Sequence, residues 1–149
     1  MNANRKAFLD MIAEAEGTAN RGDNGYNVLC GGGIFYSYDD HPRRLIKLNA
    51  RLSSTAAGRY QLLSRYFNPY KELLGLNDFS PESQDKIAIQ QIRECKALDD
   101  IDAGRFDEAV QKCKRIWASL PGAGYGQREV PIDKLRLAYQ RAGGMIQEG

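Results

Sequence analysis

Between Arg5 and Glu16 the apolar residues Phe8, Leu9, Ile12 and Ala15 recur at the spacing of one helix face. Asn2 or Asn4 stands where a cap belongs, and Gly17 stands where the helix should stop. The pattern then lapses. Residues 18–33 are polar and glycine-rich, ending in Gly31-Gly32-Gly33, which predicts a long loop. Two short β-like runs, "IFYSY" and "RLIKL", flank "DDHP" and predict a small hairpin or lip.

Helical spacing resumes in "AAGRYQLLSRYF", and Pro69 suits the start of a further helix running to Gly75. Ser80-Pro81 reads as a cap followed by a first-turn proline, opening "PESQDKIAIQQIREC". Ile87, Ile89 and Ile92 give that helix an apolar face, extended by Ala88 and Cys95. "LDDIDAG" predicts a short helical turn. "RFDEAVQKCKRIWASL" predicts a helix with Phe106, Val110, Cys113 and Trp117 in register, ended by Pro121. "PGAGYGQ" reads as a loop, and "PIDKLRLAYQRAGG" as a last helix closed by Gly143-Gly144. The expected class is α+β, mainly α, in a single domain over residues 1–149 with no internal repeat.

Length and charge narrow the function classes. A chain of 149 residues can bury a core without disulfide or metal staples. Its 21 basic residues are interspersed with 19 acidic ones, for a net charge of +2. That lacks the dense basic stripe of a nucleic-acid binder. Cys30, Cys95 and Cys113 match no zinc spacing and read as reduced thiols, the latter two as small buried hydrophobes. With His41 the only histidine, no metal site is expected, and no organic cofactor either. The N-terminal segment lacks the apolar core of a signal peptide, and no stretch reaches the length of a membrane span. The expectation is a monomer that stays in the cytoplasm, without stable membrane association, until something releases it.

Glu16 breaks the pattern of its helix. With Phe8 at zero and roughly 100° per residue, Ile12 falls near 40° and Ala15 near −20°. Glu16 falls near 80°, at the edge of the apolar stripe, whereas Glu14 falls near 240°, on the opposite side. Glu14 should be solvated and Glu16 partly inside. Burial disfavours the charged form of a carboxyl, and helix C-terminal carbonyls push the same way. An acid so poised can protonate a leaving-group oxygen, as glycoside cleavage requires. Periodicity alone favours the commoner reading, a solvated last-turn glutamate.

Five blocks resemble one family in order: "NRKAFLDMIAEAEGT", "GYNVLCGGGIFYSYDDHPRRL", "LNARLSSTAAGRYQLLSR", "LNDFSPESQDKIAIQQI" and "IWASLPGAGYGQ". They closely resemble the lambda-type phage lysozymes, endolysins that act as peptidoglycan lytic transglycosylases. The resemblance runs from about Asn4 to Gln127 and more loosely to Gly144. It implies a lysozyme-like fold with a small β-hairpin lobe and a substrate cleft. It also implies cleavage of the β-1,4 bond between N-acetylmuramic acid and N-acetylglucosamine, leaving a 1,6-anhydro sugar. The family's acid is the glutamate of the "EGT" block, which falls on Glu16.

That chemistry accounts for the lack of an obvious second carboxylate. The substrate's own C6 hydroxyl attacks, so one carboxyl serves as acid and then as base, whereas a hydrolase needs a second. Asp23, Asp39 and Asp40 are the alternatives for such a partner, each more simply read as a solvated loop residue. Candidate sugar contacts are Thr18, Tyr26, His41, Arg59, Tyr60, Gln61, Tyr125 and Gln127. The ordinary reading of Tyr60 is core packing, of Gln61 a surface amide and of His41 a structural lip residue. Arg43 and Arg44 are either attractors of wall carboxylates or a solvated edge. The chain departs from the family in a shorter Thr18–Gly25 loop, in an extra glycine and a missing acidic residue around Gly31-Gly32-Gly33, and in its last residues. A hydrolase using water, a non-catalytic glycan-binding module and a small DNA-binding protein are the rival functions.

Overall fold

The computed structural model describes residues 1–124 and 128–148, which form two compact units. Unit 1 comprises residues 1–16 together with those from Ala88 onward, and unit 2 runs from Gly17 to Ile87.

Unit 1 is helical. Helix α1 spans Ala3–Glu16. Of the two possible caps the chain uses Asn2, whose Oδ1 accepts the Arg5 N–H at 2.8 Å. Gly17 ends the helix at φ +80°, a conformation glycine adopts without a Cβ penalty. Its buried face holds Phe8, Leu9, Ile12 and Ala15 as expected, and also Ala7, Met11 and Ala13. Phe8 meets Phe106 and Tyr139 edge-on at ring-centre distances of 5.9 and 6.4 Å. Helices α4 (Leu98–Asp102) and α6 (Ile132–Arg141) pack on α1, and α4 also packs on α5 (Phe106–Cys113). Asn4 ties the ends of this unit together: its Nδ2 donates to the Ile101 carbonyl at 2.9 Å, and its Oδ1 accepts the Met145 N–H at 3.0 Å.

Helix α5 stops at Cys113, short of the expected run to Pro121. Beyond it the chain tightens into three-residue turns, with Ile116 N–H on Cys113, Leu120 on Trp117 and Ala123 on Leu120. Phe106, Val110, Cys113 and Trp117 are still all buried, because the turns keep Trp117 on the inner side.

Unit 2 carries the β element. Strands β1 (Ile46–Asn49) and β2 (Leu52–Ser54) pair antiparallel, Ile46 opposite Ser54. The hairpin therefore lies after "DDHP" and not around it. "IFYSY" forms no strand because its backbone is engaged elsewhere: Phe35 N–H bonds the Asn27 carbonyl at 2.9 Å, and the Tyr38 carbonyl accepts the Phe79 N–H at 2.8 Å. The loop before it is compact, closed by a Val28–Ile34 bridge and one short 3₁₀ turn at Cys30–Gly32.

"AAGRYQLL" is not helical either. Ala57 and Leu62 exchange both backbone hydrogen bonds, at 2.9 and 3.1 Å, closing a tight turn. Gly58 at φ +84° and Gln61 at φ +56° make that turn possible and forbid a helix. A Cβ on Gly58 would also lie 2.4 Å from Gln84 Oε1. Helix α2 then runs from Ser64 to Leu74 as one element, so Pro69 sits inside it and does not start a new one. The cost is one missing donor to the Arg65 carbonyl. Gly75 caps it at φ +66°.

Helix α3, Pro81–Glu94, begins as expected, with Ser80 Oγ accepting the Ser83 N–H at 3.2 Å. The unit 2 core gathers Leu29, Phe35, Ala57, Leu62, Phe67, Leu76, Phe79 and Ile87. Six helices and one small antiparallel hairpin among the described residues make the chain mainly α within the α+β class.

Candidate active site

In unit 1 the chemistry collects at the C-terminus of α1. Glu14 is exposed, and Glu16 is partly covered, as the helical angles require. The Glu16 carboxyl lies deep among protein atoms. Burial pushes its pKa above the ordinary glutamate value, opposed by the Ser119 hydroxyl and by the positive Arg128. Ser119 Oγ donates to Glu16 Oε2 at 2.6 Å. Arg128 Nη2 donates to the Ala15 carbonyl at 3.3 Å, meeting one of the acceptors that the helix end leaves open. A carboxyl pulled both ways at once is suited to give up a proton and to accommodate the anion that remains.

Both helpers come from one loop. Val130 N–H closes it onto the Ser119 carbonyl at 2.7 Å. Glu129 braces it from within, accepting the N–H groups of Gly122 at 2.9 Å and Gly124 at 3.2 Å. Those two bonds hold the Glu129 carboxyl below its usual range. Tyr125 and Gln127, two expected sugar contacts, lie outside the described residues.

In unit 2 a second set of expected residues forms one connected network. Thr18 is buried, and its hydroxyl donates to the Arg59 carbonyl at 2.6 Å. Arg59 is buried as well; its Nε donates to the Asn24 carbonyl at 2.9 Å and its Nη1 to the Tyr60 oxygen at 3.1 Å. The guanidinium also covers the rings of Tyr26 and Tyr60, at 5.4 and 5.6 Å. Both phenols donate to one oxygen, Asp85 Oδ1, from 2.9 Å for Tyr26 and 2.5 Å for Tyr60. Burial and the Asp85 charge raise both phenol pKa values, so the two remain donors. Tyr26 keeps partial exposure and Tyr60 does not.

Gln61 is half-buried at its positive φ, its amide nitrogen 2.9 Å from the Gly58 carbonyl and 3.3 Å from that of Val28. Gln84 anchors the network from α3. Its Oε1 accepts the Arg59 N–H at 2.9 Å, and its Nε2 donates to the carbonyls of Tyr26 and Phe79.

His41, another expected sugar contact, lies inside the fold. It is 2% exposed, between the rings of Phe67 and Phe79 at 6.1 and 4.9 Å. Its Nδ1 accepts the Arg43 N–H at 2.9 Å, so the proton sits on Nε2, which donates to the Leu62 carbonyl at 2.8 Å. Both ring nitrogens are spent inside the fold, and burial lowers the pKa of the ring. Arg43 is likewise engaged, ion-paired with Asp40 at 2.9 Å and bonded to Asn68 at 2.6 Å. That pairing holds Asp40 below the usual aspartate range. Asp23 accepts the Tyr38 hydroxyl at 2.9 Å. Among the described residues no group of three or more His, Cys, Asp or Glu side chains gathers to hold a metal ion, and no helix is long and apolar enough to cross a membrane.

Sequence reasoning missed Ser119, Arg128, Gln84 and Asp85. For Gln84 the signal was present: with Ile87, Ala88, Gln91 and Ile92 it lies on the buried face of α3, where a polar residue is out of pattern as Glu16 is in α1. Ser119 and Arg128 belong to a loop without periodicity, and nothing local marks them.

The model of the endolysin family matches residues 6–146. The chain is 53% identical over 152 residues to the endolysin of Escherichia phage lambda, covering 99% of this chain and 96% of that protein. It is 50% identical over 155 residues to the endolysin of Escherichia phage P2, covering 95% and 94%. The structure of bacteriophage lambda lysozyme complexed with a chitohexasaccharide matches with a TM-score of 0.97 at 53% identity, over 99% of this chain and 98% of that one. A second structure, lysozyme from bacteriophage lambda, matches with a TM-score of 0.92 at 52% identity, over 99% and 98%. These likenesses bear out the resemblance carried by the five sequence blocks and the lysozyme-like α+β class.

Proposed function

This chain belongs to the endolysin family, and on that premise we propose that it degrades bacterial peptidoglycan by lytic transglycosylation. The bond cleaved is the β-1,4 link from N-acetylmuramic acid to N-acetylglucosamine. The observation that carries the reading is the Glu16 carboxyl: buried, raised in pKa, and held at 2.6 Å by Ser119. The glycan complex of its lambda relative supports a sugar polymer as substrate.

Protonated Glu16 gives its proton to the glycosidic oxygen, and the leaving sugar departs as a neutral alcohol. The Glu16 carboxylate then takes the proton of the muramic acid C6 hydroxyl as that oxygen bonds to the anomeric carbon. The acid is regenerated, no water is consumed, and the product is a 1,6-anhydro-muramoyl end. Ser119 keeps the anionic stage within reach by donating to the carboxylate, and Arg128 adds positive charge nearby. Neither a cofactor nor a metal has a step to perform.

Tyr26 and Gln61, the members of the unit 2 set that keep exposure, are our candidates for sugar contact among the described residues; Tyr125 and Gln127 remain candidates from the family resemblance alone. In this reading Arg59, over the Tyr26 ring, and Tyr60, sharing the Asp85 oxygen with it, hold Tyr26 in position, and Thr18 bonds the Arg59 carbonyl. The monomer accumulates in the host cytoplasm and reaches the wall once the membrane is permeabilised.

Mass analysis of released muropeptides tests the mechanism. Anhydro ends, lighter than the reducing ends by one water, are expected from the first time points. Reducing ends as the primary product would replace this reading with a hydrolase that uses water. Failure to release any muropeptide would leave a glycan-binding module.

A further inference from the structure

Cys95 and Cys113 have no part in the proposed sugar chemistry, yet unit 1 brings them together. Cys95 directly follows the last residue of α3, its N–H bonded to the Gln91 carbonyl at 3.1 Å, and Cys113 closes α5. Side chains flanking Cys113 reach backbone flanking Cys95. Lys112 Nζ donates to the Lys96 carbonyl at 3.4 Å, and Arg115 Nη2 donates to the Glu94 carbonyl at 3.2 Å. These two braces hold the buried Cys95 and Cys113 side by side, and the two thiols act on each other's ionisation. Cys30 lies in unit 2 and donates its thiol proton to the Ser54 carbonyl at 3.3 Å.

We propose that Cys95 and Cys113 are a redox modification site, closing to an intramolecular disulfide when the protein meets a disulfide oxidant. The two sulfurs have unequal roles. Cys95 is 7% exposed and Cys113 fully enclosed, so an incoming disulfide reaches Cys95 first. The adjacent Cys113 thiol and the Arg115 guanidinium hold Cys95 down at about 7, which supplies thiolate at neutral pH. The adjacent Cys95, together with burial, pushes the Cys113 thiol well up, so it stays protonated until its turn.

The Cys95 thiolate attacks one sulfur of the oxidant, forming a mixed disulfide and expelling the oxidant's other half as a thiolate. Cys113 then attacks the Cys95 sulfur and displaces the second half, which takes up the Cys113 proton. Two thiols are oxidised, one external disulfide is reduced to two thiols, and two electrons are transferred. The closed loop contains α4 and α5, so the crosslink restricts the unfolded chain and stabilises unit 1. Passage from a reducing cytoplasm to an oxidising wall compartment is where this would occur. That setting rests on the proposed function; the thiol chemistry does not.

The test uses the reduced full-length chain, oxidised glutathione near neutral pH, and alkylation after denaturation. Mass analysis should show one alkylated cysteine, Cys30, and a linked peptide pair containing Cys95 and Cys113. Cys113→Ala should stop at a glutathione adduct on Cys95, and Cys30→Ser should leave the crosslink unchanged. The oxidised protein should melt about 5 °C or more above the reduced one. Three alkylated thiols after oxidation, a persistent glutathione adduct on the unsubstituted chain, a linkage through Cys30, or an unchanged melting temperature would each overturn the proposal. None of these readouts involves muropeptides, so the result stands apart from the reading of Glu16.

Discussion

Ser119 donates its hydroxyl proton to Glu16 Oε2 at 2.6 Å across 103 positions of sequence. The bond favours the carboxylate and opposes the burial that favours the acid. A general acid works only while protonated, so on the proposed mechanism activity should fall on the alkaline side as Glu16 ionises. Ser119→Ala removes a force that lowers this pKa, and the alkaline limb of the pH–rate profile should move to higher pH. Arg128→Met should move it the same way, since Arg128 also lowers the Glu16 pKa. The measurement is muropeptide release across pH; limbs that stay put, or move down, would show that these groups do not act on Glu16.

Glu16→Gln keeps the shape and the hydrogen-bonding reach of the side chain and removes the transferable proton. Clearing of a cell-wall suspension should slow by about 10²–10⁴-fold, the range for a positioned general acid. The circular dichroism spectrum should match that of the unsubstituted chain. Equal rates for the two proteins would end the catalytic claim.

Asp100 holds the α4–α5 corner, accepting Arg105 at 2.8 Å and Lys112 at 2.5 Å, with its side chain 7% exposed. Burial pushes its pKa up, but the bonds from Lys112 and Arg105 outweigh that and leave it below the usual range. The unfolded chain therefore binds the proton more readily, and stability is present above the unfolded pKa and lost as pH falls through the folded one. Asp100→Asn should cost about 1–2 kcal/mol at neutral pH, a modest figure because both cations are half-exposed. In urea titrations the gap between the two proteins should close below about pH 4; a gap independent of pH would contradict the assignment.

His41 titrates in the opposite sense. Burial lowers its folded pKa, so the unfolded state takes up a proton first as pH falls from about 6.5. Protonation would place a hydrogen on Nδ1, facing the Arg43 N–H. The urea midpoint should drop across this window, and His41→Gln should flatten that drop and lower stability at neutral pH. Muropeptide masses should not change, because the ring serves the core. A changed product or substrate preference would return His41 to the list of sugar contacts.

How much was legible depends on the kind of signal each residue leaves. Periodicity placed α1, α3 and α6 closely and put Glu14 outside and Glu16 inside, because burial on a helix is a matter of angle. The same logic misread "AAGRYQLL", where apolar spacing mimics a helix but Gly58 and Gln61 take positive φ and the strand-like ends pair with each other. The hairpin slipped by one segment because β propensity in "IFYSY" does not show that Asn27 and Phe79 claim its backbone. His41 was visible as a residue and invisible as a core element, since its partners Leu62, Phe67 and Phe79 arrive from other parts of unit 2. Ser119 and Arg128 act on Glu16 only through where they end up, a long-range fact that no local pattern encodes.

Because Glu16 precedes Ser119 by 103 positions, translation order decides when the two can meet. A ribosome delivers α1 early, with its apolar face uncovered, and unit 1 cannot close until the residues after Ala88 have emerged. Any chain that stalls before Ser119 carries Glu16 without either of the groups that act on its carboxyl. On the proposed mechanism, fragments that end before Ser119 should lack lytic activity, which a wall-clearing assay on such truncated chains would check.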